Sequence, residues 1–243
     1  MKAKKKPGNT IAQRQAQREQ QEKRMKRVMW ITGACIVVLV LLLIIIRPGS
    51  SSKEGNFDYS SMPVLGNPDA PVKIVEMGDY KCPSCQYFTQ DISPQLKKDF
   101  IDTGKAALYF SNYLIISPEA DSNTAALAAQ SVFHQNKDEF WKYYEAIYRN
   151  QGDENTEWAT PDFLVNLART ENIKVDYDQL RKDIDEKTYQ KEIDSQNALA
   201  RKLNVMSTPT LFVNGEMASE KASMNYPVLK PFIEKKLAEQ NKE

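Results

Sequence analysis

The stretch that decides the fold is Val72-Lys-Ile-Val-Glu-Met-Gly-Asp-Tyr-Lys-Cys82-Pro-Ser-Cys85. Residues 72–77 are rich in β-branched side chains, which predicts a buried strand. The cysteine pair follows directly, and Pro83 suits the first turn of a helix. We expect that helix to be interrupted near Pro94 and to end at Gly104. The segment therefore predicts a strand that leads into a helix, with two cysteines at the junction.

The rest of the chain continues an α/β order around a helical block. Residues 106–116 form the next predicted buried strand, and residues 118–204 have helical character. Within that block Thr160 and Asp176 are candidate helix N-caps, and residues 186–203 are predicted as one longer helix. A strand at residues 210–213, a hairpin turn at Asn214-Gly215 and a final helix opened by Pro227 and running to about residue 239 complete the order.

The N-terminal part predicts a membrane anchor. Residues 28–46 are nineteen residues without a charge, a length that just spans the hydrocarbon layer as a helix. A cleaved signal peptide is the alternative, although the apolar run is long and no small-x-small site follows it. Residues 1–27 carry ten basic and two acidic residues, so the positive-inside rule keeps them cytoplasmic. We therefore predict a single-pass protein of the cell membrane: a basic tail (1–27), an anchor (28–46), a flexible linker (47–61) and an extracytoplasmic folded domain (62–243).

Charge and cysteine content limit the function classes. The chain has a net charge of +1, and residues 1–27 carry +8, so the remainder carries −7. A mildly acidic domain argues against nucleic-acid binding. The chain has three cysteines, and Cys35 lies inside the apolar run, where it is expected to be a small apolar residue. A bridge between Cys82 and Cys85 closes a very short loop and adds little stability, so the role of this pair is expected to be chemical.

A cysteine pair at the start of a helix favours redox chemistry. Unpaired N–H groups and the helix dipole stabilise a nearby thiolate. Cys82 is therefore the expected reactive thiol, and Cys85, one turn further in, should be more buried and less acidic. Pro83 and Ser84 separate them, and the Ser84 hydroxyl can add a weak donor. An inert structural bridge is the alternative.

The sequence favours no metal site. A closed zinc site needs four ligands, and after residue 47 the chain offers two cysteines and one histidine, His134. His134 is expected to be an ordinary helix residue. Residues 151–157 contain several oxygen ligands but lack the spacing of an EF-hand, so a solvated connection between helices is favoured over a calcium site.

The stretches Pro63-Val-Leu-Gly66, Asn67-Pro-Asp-Ala-Pro71 and 72–85 together resemble the entry to a DsbA-type domain. With the N-terminal anchor, the chain is most similar to the membrane-anchored BdbD-type proteins of Gram-positive bacteria. The resemblance covers residues 62–240 and implies an α/β thioredoxin-like fold with an inserted helical subdomain, preceded by one transmembrane helix. The pair Pro83-Ser84 differs from the Pro-His of DsbA itself, which leaves the oxidising strength open.

The resemblance also assigns roles to three further residues. Met206-Ser-Thr-Pro-Thr210 matches the family's cis-proline loop, so Pro209 is expected to be cis and Thr208 to present its backbone to a substrate peptide. Glu76 lies six residues before Cys82, inside a strand expected to be buried on both faces, and a family member carries an acid there that is held near the cysteines. It is expected to relay a proton to Cys85, and an acid at a solvent-facing strand end is the alternative.

The expected activity is that of an extracytoplasmic thiol–disulfide oxidoreductase. It would donate the Cys82–Cys85 disulfide to exported cysteine-containing proteins and need no cofactor beyond that disulfide. The resemblance implies reoxidation by a quinone-linked membrane partner of the DsbB/BdbC type. A disulfide reductase or isomerase is one alternative, and a tethered holdase without redox activity is another.

Overall fold

The structure is a computed structural model, and it describes residues 56–240 together with Met25, Met29 and Trp30. Residues 56–240 belong to one compact unit of the chain. In the part of the chain that the structure describes, no helix is long and apolar enough to cross a membrane. Apart from Met29 and Trp30, the predicted anchor and Cys35 lie outside the described residues.

A five-stranded sheet forms the centre of residues 56–240. Its strands are β1 (Val64–Leu65), β2 (Val72–Gly78), β3 (Ala106–Asn112), β4 (Thr210–Val213) and β5 (Glu216–Met217). The spatial order is β1-β3-β2-β4-β5, with β2 parallel to β3 and antiparallel to β4. The middle strand β2 is almost wholly buried, as its run of apolar residues predicts.

The helices follow in a consistent order along the chain. They are α1 (consecutive segments Pro83–Tyr87, Phe88–Ile92, Ser93–Leu96 and Lys97–Ile101), α2 (Asp121–Gln135), α3 (Phe140–Arg149), α4 (Pro161–Thr170), α5 (Tyr177–Asp185), α6 (Gln190–Lys202), α7 (Glu220–Ser223) and α8 (Tyr226–Gln240). Helices α2–α6 form the insertion between β3 and β4. The α/β fold with a helical insertion is therefore confirmed.

The predicted irregularity of α1 takes the form of wide turns. Residues Phe88–Ile92 and Lys97–Ile101 have π-helical hydrogen bonding, with Ser93 N donating to Phe88 O. Pro94 follows the first wide turn and has no N–H to donate back along the helix. Gly104, at φ +70°, lies just beyond the end of α1, as expected of a glycine there.

Two predicted boundaries of secondary-structure elements were wrong. The strand predicted over 106–116 ends at Asn112, because the N–H groups of Ile115 and Ile116 bond to the Asp79 carboxylate instead of the sheet. The helix predicted over 186–203 begins at Gln190, because the chain turns through a left-handed Lys187 at φ +54°.

The linker predicted over residues 47–61 also extends too far toward the C-terminus. Phe57 is buried, and its ring packs edge-on against Phe212 at 5.1 Å, so the folded part begins before residue 62. The two-residue strand β1 was too short to give a sequence signal.

Alternation along β2 decides which side chains face the redox helix. Ile74 and Glu76 lie on the face covered by α1, α8 and much of the insertion, whereas Val75 and Met77 face a second cluster that includes residues of α6. The side chain of Glu76 is therefore buried beside the start of α1.

Candidate active site

The two cysteines lie where β2 runs into α1. Cys82 is the N-cap of the helix in an extended conformation, and Pro83 occupies the first helical turn. The N–H groups of Cys85 and Gln86 both donate to Cys82 O at 3.1 Å, which closes the first turn. Cys82 is 6% exposed and Cys85 is fully buried. Pro83 is exposed and Ser84 half-buried, so the mouth of the site is formed by these two residues.

The surroundings of Cys82 favour its thiolate. A hydrogen bond from the Cys85 thiol, opposed by burial and reinforced by Thr208 and by the N–H groups of Cys85 and Ser84, lowers the pKa of Cys82 to about 6. Since Cys82 is the N-cap of α1, its sulfur lies beside the N–H groups of the first helical turn. Cys82 is therefore ionised to a large extent at neutral pH.

Cys85 has the opposite character. Complete burial, followed by its hydrogen bond to Cys82 and the nearby charges of Cys82 and Glu76, raises the pKa of the Cys85 thiol well above its ordinary value. The two sulfurs of one motif therefore differ strongly in acidity, as the position of each along the helix predicts.

Glu76 is fully buried, so the solvent-facing alternative is wrong. Burial raises the pKa of Glu76 to about 8, and a hydrogen bond from Tyr144 counteracts part of the rise. When Glu76 is ionised, the Tyr144 hydroxyl donates to Glu76 Oε2, and the two oxygens lie 2.6 Å apart. At neutral pH this carboxyl is mostly protonated, as a proton donor to a leaving thiolate would have to be.

The Thr208–Pro209 peptide bond is cis, as predicted. The Cys82 thiol donates to Thr208 O at 3.3 Å, which places this loop against the reactive sulfur. The Thr208 hydroxyl is buried and has no hydrogen-bond partner among the described residues. When Cys82 is a thiolate its sulfur can only accept, and the Thr208 hydroxyl is then a further side-chain donor, after the Cys85 thiol, that lowers the pKa of Cys82.

Comparison with known proteins decides the family. A sequence model of the family described as Thioredoxin matches residues 60–235. Disulfide bond formation protein D of Bacillus subtilis is 37% identical over 189 residues, which are 78% of this chain and 83% of that protein. This chain belongs to the thioredoxin family of disulfide bond formation proteins. It is accordingly a thiol–disulfide oxidoreductase.

Other members of the thioredoxin family agree with this assignment. Probable disulfide bond formation protein D of Bacillus cereus is 35% identical over 210 residues, covering 86% of this chain and 94% of that one. The crystal structure of oxidised BdbD from Bacillus subtilis matches with a TM-score of 0.71 at 37% identity, over 76% of this chain and 97% of that one. The structure of DsbA from Chlamydia trachomatis shares the fold, with a TM-score of 0.62 at 23% identity over 71% and 90% of the two chains.

A buried ion pair lies beside the redox motif of this thioredoxin-family chain, and it was not predicted from the sequence. Lys81 Nζ lies 2.7 Å from Asp121 Oδ1 and donates to Thr156 O at 2.9 Å. The other Asp121 oxygen accepts from the N–H groups of Trp158 and Ala159. One carboxylate from the insertion therefore fixes both the residue before Cys82 and the loop after α3.

The loop predicted as a solvated connection contributes a contact to the site. Gln151 Nε2 donates to Tyr80 O at 2.8 Å and to Cys82 O at 3.2 Å. Asp153 accepts from Asn155 within its own turn. In the described residues no group of three or more His, Cys, Asp or Glu side chains is arranged to hold a metal ion.

His134 lies on α2, away from this chemistry. It hydrogen-bonds to Glu192 at 2.9 Å and stacks on Tyr189 with ring centroids 4.3 Å apart. This matches the interpretation of His134 as an ordinary helix residue.

Proposed function

We propose that this oxidoreductase donates the Cys82–Cys85 disulfide to exported proteins that contain cysteines. The observation that carries the proposal is the difference between the two thiols: Cys82 is acidic at the helix mouth, and Cys85 is buried with a raised pKa. A stabilised Cys82 thiolate favours the dithiol form, which makes the disulfide form oxidising.

The exchange proceeds in two balanced steps. A substrate thiolate attacks Cys82 Sγ, a new disulfide forms, and the electron pair of the Cys82–Cys85 bond leaves on Cys85. Cys85 then takes the proton of Glu76, since a fully buried thiolate is unfavourable. A second substrate thiolate attacks the substrate sulfur of the mixed disulfide and releases Cys82 as its stable thiolate. Two electrons pass to the enzyme, and the substrate gains one disulfide.

Substrate binding is assigned to the two loops that flank Cys82. Thr208 and Pro209 would present backbone to an extended substrate segment, because the carbonyl of Thr208 already lies beside the sulfur. Pro83 and Ser84 would line the other side of the mouth.

We further propose that the domain works outside the cytoplasm, tethered by an anchor at residues 28–46 with the basic residues 1–27 inside. Reoxidation requires an electron acceptor, for which we propose a quinone-linked membrane oxidase of the DsbB/BdbC type. A tether would keep the enzyme and such a partner at high effective concentration.

The proposal is tested by the reduction potential of the full chain in detergent, measured in glutathione buffers. A value toward roughly −120 mV supports a disulfide donor, and a value near −270 mV would instead indicate a reductase. In parallel, Cys82→Ser should abolish oxidation of a reduced protein substrate, whereas Cys85→Ser should accumulate mixed disulfides. Full oxidase activity of Cys82→Ser would contradict the proposal.

A further inference from the structure

Three buried contacts connect Glu76 to the first turn of α1. Tyr144 OH lies 2.6 Å from Glu76 Oε2. The same hydroxyl lies 3.0 Å from Thr89 Oγ1, and Thr89 Oγ1 lies 2.9 Å from the carbonyl oxygen of Cys85. Tyr144 comes from the helical insertion and Thr89 from α1, so the contacts join three elements of the fold.

The number of protons available to these contacts depends on Glu76. Each contact needs one hydrogen, and the hydroxyls of Tyr144 and Thr89 supply two. With Glu76 ionised, one of the three contacts lacks a hydrogen. With Glu76 protonated, all three can form in one direction: Glu76 donates to Tyr144, Tyr144 to Thr89, and Thr89 to Cys85 O.

The other carboxyl oxygen supports the protonated arrangement. Glu76 Oε1 is buried and has no hydrogen-bond partner among the described residues. It lies so close to Gly78 that a Cβ there would be 3.1 Å away. An unpaired carboxylate oxygen in such a place is costly, whereas the carbonyl oxygen of a neutral carboxylic acid is less so.

We propose that Tyr144 and Thr89 are positioning residues which form a hydroxyl chain that couples the proton on Glu76 to the first turn of α1 at Cys85. The chain is complete while Glu76 holds its proton and loses one hydrogen when that proton moves to Cys85 Sγ. This inference rests on the proposed role of Glu76 as proton donor to Cys85. It extends that role by naming the groups that hold the proton in place.

Other titratable groups surround the same carboxyl. Tyr80 and the thiol of Cys82 are close enough to interact electrostatically with Glu76, as are Cys85 and Tyr148. Tyr148 donates to Asp79 O at 3.2 Å and has no hydrogen bond to Glu76, so it provides a matched control for the loss of a tyrosine hydroxyl.

The two hydroxyls should act on Glu76 in opposite directions. Tyr144→Phe removes the donor to the carboxylate, whose charge-assisted bond is the stronger one, so the pKa of Glu76 should rise above about 8. Thr89→Val removes the group to which the Tyr144 hydroxyl donates when Glu76 is protonated. The ionised form of Glu76 keeps its hydrogen bond from Tyr144, so the pKa of Glu76 should fall. We expect each shift to approach about one unit, a tenfold change in proton affinity.

The experiment is a carbon-13 NMR titration of the glutamate carboxyl groups in the full reduced chain, with Glu76 assigned from the resonance missing in Glu76→Gln. Thr89→Ser and Tyr148→Phe should leave the titration of Glu76 nearly unchanged. Shifts of the same sign in Tyr144→Phe and Thr89→Val, or no shift in either, would overturn the inference. Because the titration requires no disulfide exchange, its outcome is independent of whether the protein proves to be a disulfide donor.

Discussion

Replacing Thr208 with valine tests where the stability of the Cys82 thiolate comes from. The pKa of Cys82 is about 6, with the Cys85 thiol as the largest cause and the Thr208 side chain as a further donor. The Thr208 hydroxyl is buried with no competing partner in the described structure, so valine removes a donor and nothing else replaces it. A hydrogen bond to a charged group contributes about 1.5–3 kcal/mol, which corresponds to about one to two pKa units.

The effect on the redox equilibrium follows from the fraction ionised. With a pKa of about 6, ionisation stabilises the dithiol at pH 7 by about 1.4 kcal/mol, or ~30 mV for a two-electron couple. If valine raises the pKa of Cys82 by about one unit, this contribution falls to about 0.4 kcal/mol, so the potential becomes about 20 mV more reducing. Because the pKa of Cys82 is lowered in the folded dithiol, its ionisation stabilises the dithiol more strongly as the pH rises above about 6. This stabilisation is lost as the pH falls through about 6.

The assay is the reduction potential of the full chain as a function of pH. Below the pKa of Cys82 the potential should change by about 59 mV per pH unit, and above it by about 30 mV, because one proton fewer is taken up on reduction. The break should lie near pH 6 in the parent protein and near pH 7 in Thr208→Val, while Thr208→Ser should keep it near 6. A break at the same pH in the valine variant would refute the assignment of the hydroxyl as a donor.

Three further predictions concern acidity and stability. Cys85→Ala should raise the pKa of Cys82, measured from the pH dependence of iodoacetamide alkylation, whereas Cys85→Ser, which retains a donor, should raise it less. Gly78→Ala should destabilise the fold by about 1–3 kcal/mol in urea titrations, because the added Cβ would lie 2.8 Å from the Phe110 ring; an unchanged midpoint would contradict this packing. Lys81→Met should cost about 3 kcal/mol or more, since it leaves the buried Asp121 carboxylate without its cation, and a loss below 1 kcal/mol would show that the pair contributes little.

Local patterns were sufficient to predict the redox motif. The β-branched residues of β2, the cysteine pair and Pro83 are adjacent in the sequence, and each has a strong local preference that the fold retains. The burial of Glu76 follows from the same reasoning, because residues 74 and 76 must share a face of β2. The cis bond at Pro209 needed the family resemblance, since spacing by itself favours a trans bond.

Contacts between distant parts of the chain could not be predicted in this way. Tyr144 is 68 residues from Glu76, and Gln151 is 71 residues from Tyr80. In the sequence Tyr144 reads as one of several aromatic core residues, and its hydroxyl gives no periodic signal. Gln151 reads as part of a polar loop. What each polar group bonds to depends on how the insertion packs on the sheet, and no local pattern specifies that.

The helical insertion therefore does more than cover the sheet. Within residues 56–240, the hydroxyl that hydrogen-bonds to Glu76, the anion that pairs with Lys81 and the amide that binds Cys82 O all come from residues between β3 and β4. Each of these contacts is buried or partly buried, where unpaired polar groups are costly. A change that shifts the insertion relative to β2 would leave these groups on both sides without partners. The proton affinity of Glu76 and the position of Cys82 are thus set by the insertion and the thioredoxin core together.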